Sequence, residues 1–181
     1  MKKRFLPLLL VCTLALAGCG RQDEARFNAF SEALRERNDL VMTAQVRAVY
    51  DDRECSFTLR YAETTDGGCT VEVLEPELIR GVKARMNADG TKLVYDSVAI
   101  DTGDESGTGL SPMGALPLLV RALRQGSVDS LWKEGGELAV KLVPEDDVDV
   151  TVLFNSEMKP TYAEIAHEGK AVLFIRIADF S

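Results

Sequence analysis

"LVMTAQVRAVYDDRECSFTLRYAETTDGGCTVEV", residues 40–73, decides the fold. Its apolar residues recur at every second position. Leu40, Met42, Ala44, Val46, Ala48 and Tyr50 share one side, while Thr43, Gln45 and Arg47 share the other. After Asp51-Asp52, Cys55, Phe57, Leu59 and Tyr61 alternate with Ser56, Thr58 and Arg60. Successive side chains on a strand point to opposite faces, so this pattern specifies strands with one apolar and one polar face. The Asp66-Gly67-Gly68 turn, followed by "CTVEV", makes the neighbours antiparallel hairpins.

The same period continues toward the C-terminus. "EPELIRG" (75–81) interrupts it, because Pro76 cannot donate to a strand ladder. "VKARMN" (82–87) and "TKLVYDSVAI" (91–100) read as strands around "ADG", and the polar, glycine-rich "DTGDESGTGLSP" (101–112) reads as a loop. "ELAVKLV" (137–143), "VDVTVLF" (148–154), "PTYAEIAH" (160–167) and "AVLFIRIADF" (171–180) are further strands, divided by "EDD", "NSEMK" and "EGK".

Two segments have helical spacing instead. In "RQDEARFNAFSEALRERN" (21–38), Phe27, Phe30 and Leu34 fall on one stripe. In "SPMGALPLLVRALRQG" (111–126) the stripe is Leu116, Leu119, Val120 and Leu123, with Ser111 as cap, Pro112 in the first turn and Gly126 at the end. Pro117 has no N–H, which predicts a short turn over 112–115 and the helix proper from Leu116. About nine to eleven short strands in sequence imply an antiparallel meander. A sheet this large curls. The expected fold is therefore mainly β with helices (α+β): a half-barrel whose concave face is covered by an N-terminal and a central helix.

The chain opens with Lys2, Lys3 and Arg4, then the apolar "FLPLLLVCTLALA" and Gly18-Cys19-Gly20. A basic stretch followed by a short apolar run is the pattern of an export signal, and the run is shorter than the ~20 residues of a membrane span. Leu16-Ala17-Gly18-Cys19 looks like the lipobox of bacterial lipoproteins. That resemblance implies a signal peptide over 1–18, a diacylglycerol on Cys19 and a short tether over 19–26 before a single domain at 27–181. No other cofactor is expected.

The formal charge is −8, and −11 once Lys2, Lys3 and Arg4 are removed. Nucleic-acid binding relies on lysine and arginine against phosphate, so an acidic domain is a poor candidate for it. Enzyme chemistry is thin as well. The one histidine, His167, sits at a strand end, and no glycine-rich phosphate loop opens a helix after a strand. Asp101, Asp104 and Glu105, like Glu145, Asp146, Asp147 and Asp149, read as solvated charge and not as a metal site. Cys55 and Cys69 have two open readings: a disulfide, which an extracytoplasmic location permits, or free thiols several rungs out of register.

The order of parts resembles the LolA/LolB-type lipoprotein-carrier fold over about residues 27–180. More narrowly it is similar to the lipoprotein-sorting-like lipoproteins of Firmicutes, the group that includes GerS. The stretches that carry this are Pro76-Glu77 to Gly81, the Leu110-Ser111-Pro112 helix start and Pro160 opening the penultimate strand. Carrier members hold acyl chains in an apolar cavity. A protein pinned by Cys19 departs from a shuttling carrier and fits an anchored acceptor or a partner-binding role. The resemblance transfers no catalytic residue.

Two non-enzymatic functions follow as expectations, and a hydrolase built on His167 is a distant third. One is a membrane-anchored module that binds an apolar ligand between sheet and helices. Its lining candidates are Phe57, Leu59, Tyr61, Val71, Val73, Met86, Leu116 and Val120, with Trp132 at the rim. The other is a GerS-like lipoprotein that holds or activates an envelope protein. The separating quantity is volume, because a binding cavity reaches about 300 Å³ or more whereas a filled core leaves little room.

Overall fold

The structure, a computed structural model, describes residues 6–50, 53–95, 98–103 and 110–181. Side chains are described from Arg21 onward, except 99–103. Two helices and eleven strands follow in chain order: α1 (Leu6–Glu36), β1 (Val41–Tyr50), β2 (Arg53–Glu63), β3 (Cys69–Glu75), β4 (Lys83–Asn87), β5 (Gly90–Tyr95), β6 (Val98–Gly103), α2 (Pro112–Gln125), β7 (Ser127–Glu134), β8 (Glu137–Glu145), β9 (Val148–Phe154), β10 (Pro160–His167) and β11 (Lys170–Phe180).

All eleven strands form one open antiparallel sheet, in the order β6-β5-β4-β3-β2-β1-β11-β10-β9-β8-β7. Each half of the chain is a meander. The halves meet where β1 pairs with β11, Val46 opposite Ile175 and Arg47 opposite Phe174. The outermost strands, β6 and β7, are far apart and unpaired with each other, so the barrel does not close.

α2 touches strands from β3 to β8. On a flat sheet those strands would stand about 29 Å apart, at about 4.8 Å per strand. A helix of this length extends only about 21 Å. The sheet bends round it, as the one-sided strands require.

The alternation seen in the sequence sets the two faces. Met42, Ala44, Val46 and Ala48 of β1 are fully buried toward the helices, beside Leu59 and Tyr61 of β2 and Leu173 and Ile175 of β11. Leu116, Leu119, Val120 and Leu123 of α2 press into the same core. α1 contributes Phe27 and Phe30, which meet the Phe154 ring edge-on at centroid distances of 5.8 and 5.0 Å.

Three expectations are corrected. α2 is continuous from Pro112, with Pro117 inside it. Ser111 caps the start by accepting from Gly114 N at 3.1 Å, so Pro117 forfeits only the one bond its N–H would make to Met113. The segment 91–100 is two strands, with Tyr95 opposite Val98, and Asp101–Gly103 continue the second strand rather than the loop. Ser127–Glu134, left without an element in the sequence, is a strand. A bulge between Val128 and Ser130 breaks its period of two, putting Val128 opposite Leu142 and Leu131 opposite Val140.

At the end of α2, Gly126 N donates to Ala122 O at 2.8 Å. A Cβ there would stand 2.6 Å from that same oxygen, so glycine ends the helix for steric reasons. The signal-peptide reading of 1–18 and the acylation of Cys19 fall on residues whose side chains lie outside those described. Residues 21–26, which fall both in the predicted 21–38 helix and in the 19–26 tether, are helical, and Asp23 bonds Lys133 Nζ at 3.0 Å.

Candidate functional site: a trough on the uncovered face

On the helix-facing side of the sheet, several of the lining candidates are packed into the core. Leu59, Val71 and Leu116 have 0 % exposure. A residue lining a ligand-sized void would show surface to a water-sized sphere, and these show none. Tyr61, Val73 and Val120 are buried in the same contiguous cluster, and Phe57 is half-buried against it. The remaining lining candidates lie elsewhere. Met86 and Cys69 border a hollow of about 350 Å³ at the β3–β5 hairpin ends. Trp132 is 39 % exposed on β7, and its indole N–H donates to Glu134 Oε2 at 3.1 Å.

The two lids share a polar clamp. Glu63 and Arg124 form an ion pair in which both side chains are largely covered. Arg124 also donates from Nε to Leu34 O at 2.9 Å and from Nη2 to Arg37 O at 2.7 Å. Glu63 accepts from Leu40 N at 3.0 Å and from Tyr61 OH at 3.4 Å. One guanidinium thus joins α2, the end of α1 and β2. Burial pushes the Glu63 carboxyl up, but the Arg124 and Leu40 hydrogen bonds outweigh it and leave the group below its ordinary value. Burial pushes the Tyr61 hydroxyl well above its ordinary range. The Cys69 thiol, buried beside Glu63, is pushed up to about 11.

Cys55 and Cys69 are both free, so the disulfide alternative is corrected. Cys55 pairs with Ala48, while Cys69 pairs with Glu63 at the far end of β2. Eight strand residues separate the two rungs, about 26 Å at ~3.3 Å per residue. A bridge needs Cα atoms within about 7 Å.

The larger hollow opens on the opposite face of the sheet. Its volume is about 850 Å³. The floor is made by outward residues of four adjacent strands: Ser56 and Thr58 of β2, Gln45 and Arg47 of β1, Phe174 and Arg176 of β11, and Tyr162 of β10. The wall is the β3–β4 connection, where Glu75, Pro76, Glu77 and Arg80 flank a single 3-10 turn over Glu77–Ile79. Arg47 lies over the Phe174 ring, 4.1 Å from its centroid, and pairs with Glu54 at 3.4 Å. Thr58 Oγ1 donates to Glu75 Oε2 at 2.6 Å, and Arg80 pairs with Glu77 at 2.7 Å. Burial pushes the Tyr162 hydroxyl up and Glu164 adds to that, against Arg47 and Arg176, which pull it down.

Leu78, on the same connection but not itself lining the hollow, is 88 % exposed. Tyr50, Tyr95 and Val98 are also exposed large apolar residues, and the strand register puts them at the same end of the sheet as that wall. Cavity volume falls within the ~300–1,000 Å³ of ligand pockets, but the lining is mixed, with Arg47, Arg80 and Arg176 beside Phe57, Pro76 and Phe174, instead of predominantly apolar. Sequence reasoning passed over this site. Gln45, Thr58 and Arg176 are what any solvated strand face displays, and only the β1–β11 pairing unites residues so distant in the chain.

His167 is half-buried at the end of β10, opposite Lys170 and Val148. Among the described residues, no group of three or more His, Cys, Asp or Glu side chains gathers as a metal site.

An open, curved antiparallel sheet with two helices is an α+β architecture. No family model matches the chain, and no curated protein matches it. The chain is similar to a LolA superfamily protein from Nitrosomonas europaea, with 12% identity, TM-score 0.49, and coverage of 85% of this chain and 92% of that one. It is similar to a putative outer membrane lipoprotein-sorting protein domain from Vibrio parahaemolyticus, with 12% identity, TM-score 0.48 and coverage of 91% and 92%. The GerS lipoprotein, solved with the CwlD amidase from Clostridioides difficile, gives 15% identity, TM-score 0.44 and coverage of 87% and 94%. These are likenesses of chain path alone.

Proposed function

We propose that this protein is an extracytoplasmic, lipid-anchored, non-enzymatic binding module that docks another envelope protein on the uncovered face of its sheet. The anchor rests on the Leu16-Ala17-Gly18-Cys19 motif after a basic and apolar leader. The docking surface rests on one observation: the open hollow lies outside the helix-covered core, beside an unburied leucine. An exposed apolar side chain beside a groove of mixed lining suits a protein interface, where a few buried anchors carry most of the energy inside a polar rim. The alternative, an acyl chain held between sheet and helices, finds Leu59, Val71 and Leu116 already packed against one another's neighbours.

Photoreactive residues installed at Gln45 and Leu78 of the full chain, expressed in its host, test the proposal. The expected result is a common protein adduct from both positions and none from Lys159, an exposed residue of the β9–β10 turn. Adducts to lipid alone, or the same adduct from Lys159, would remove the proposal.

A further inference from the structure

One arginine of the trough stands outside its ion pairs. Among the described residues, Arg176 has no ion pair. Of the two acidic residues of the wall, Glu77 pairs with Arg80 at 2.7 Å, while Glu75 accepts the Thr58 hydroxyl at 2.6 Å, keeps its charge and makes no ion pair with Arg176. Glu164 lies one diagonal step away, opposite Phe174, and makes no ion pair with Arg176 either. Arg176 is opposite Gln45, and Arg47 is opposite Phe174. The two arginines are therefore diagonal neighbours on one face, with backbones about 7–8 Å apart. Arg47 is braced by the Phe174 ring beneath it. Two arginines on adjacent strands of one face, one of them in no ion pair, can share a carboxylate, because their planar N–H forks match its two oxygens.

Resting on the docking proposal above, we infer that the trough recognises an acidic segment of the partner protein, with an Asp or Glu carboxylate seated between Arg47 and Arg176. Charge complementarity chooses this occupant over a basic one. The rest of the surface is acidic, so a basic segment would find carboxylates anywhere, whereas the arginine pair is a local exception. A chain carrying many negative charges is held off by Glu75 and Glu77, so recognition is confined to one or two carboxylates.

The test titrates the full-length chain in detergent with labelled short peptides identical except for a central residue pair: Glu-Glu, Gln-Gln or Lys-Lys in a threonine-valine background. The Glu-Glu peptide should bind in preference to both others and weaken with added salt. Arg176→Gln should weaken it about tenfold, the usual weight of a charge-assisted hydrogen bond. Preference for Lys-Lys, equal binding of Gln-Gln, no binding of Glu-Glu at millimolar concentration, or equal displacement by free acetate each overturns the inference. Gln45→Trp, which fills the trough, separates the two failures. If Gln45→Trp abolishes binding and Arg176→Gln does not, docking stands and carboxylate recognition falls. If neither variant changes binding, the trough is not the site and both fall.

Discussion

Alternate residues of one strand serve different ends in this molecule. On β1, Met42, Ala44, Val46 and Ala48 are sealed under α1 and α2, while Gln45 and Arg47 floor an open trough. On β11, Leu173 and Ile175 are sealed while Phe174 and Arg176 are open. The covered face is held by shape and by one shielded ion pair. The uncovered face carries exposed ion pairs such as Arg47–Glu54 and Arg80–Glu77, with Arg176 in none of them. Stability and recognition are thus separated by a half-turn of the strand, so substitutions on the two faces should separate them too.

The largest effect is expected at Phe154, which sits under both α1 rings. Phe154→Ala should cost about 3–5 kcal/mol. At about 2–4 °C per kcal/mol for a chain of this size, a thermal melt reads it directly. A melt unchanged within a degree or two would show that α1 is not docked there. Arg124→Met comes next. It strands Glu63 under the lids and frees two carbonyls of the α1 end, at the low end of the ~3–5 kcal/mol that breaking a buried pair costs. Adding Glu63→Leu should recover part of the loss, because a covered apolar pair needs no counter-charge; no recovery would place the damage in the carbonyl contacts instead.

Acid gives a third comparison. The Glu63 carboxyl is lowered in the folded protein, so its contribution is in full above the unfolded value of about 4.3 and is lost as pH falls through the folded one. Melting temperature should fall more steeply below about pH 4 in the parent than in Glu63→Gln. Equal slopes would mean the pair adds nothing. On the open face, Arg176→Gln and Leu78→Asp should stay within about 0.5 kcal/mol of the parent. A larger loss would assign those residues to the fold rather than to recognition. The smallest effect is that of reductant, which should leave the melt unshifted because Cys55 and Cys69 are free.

Much of the covered face was legible in the chain. A period of two and glycine or aspartate turns placed most of the strands, and helical stripes at Phe27, Phe30, Leu34 and at Leu116, Leu119, Val120, Leu123 placed both lids. Local patterns state which side of a strand is greasy. They do not state whether the space beside it is hollow or filled, since Leu59 and Leu116 would be chosen for either. They also fail where backbone geometry departs from its period, as at the β7 bulge, and where capping lets a helix carry Pro117. The Glu63–Arg124 clamp and the trough were illegible for a third reason. Both join residues brought together only by the sheet's order, and charged or polar types on a strand's wet side are the commonest thing a sequence shows.

The pairing of β1 with β11 at the centre of the sheet has a temporal consequence. The two meanders can each zip locally, but the seam between them joins residues as far apart as Met42 and Phe180. Contacts of such sequence separation carry a large loop-closure cost and slow the final step. A polypeptide emerging in order cannot complete this middle rung until its last strand has appeared. On the proposal that the leader directs this chain across a membrane, late closure would keep it pliable until passage is done.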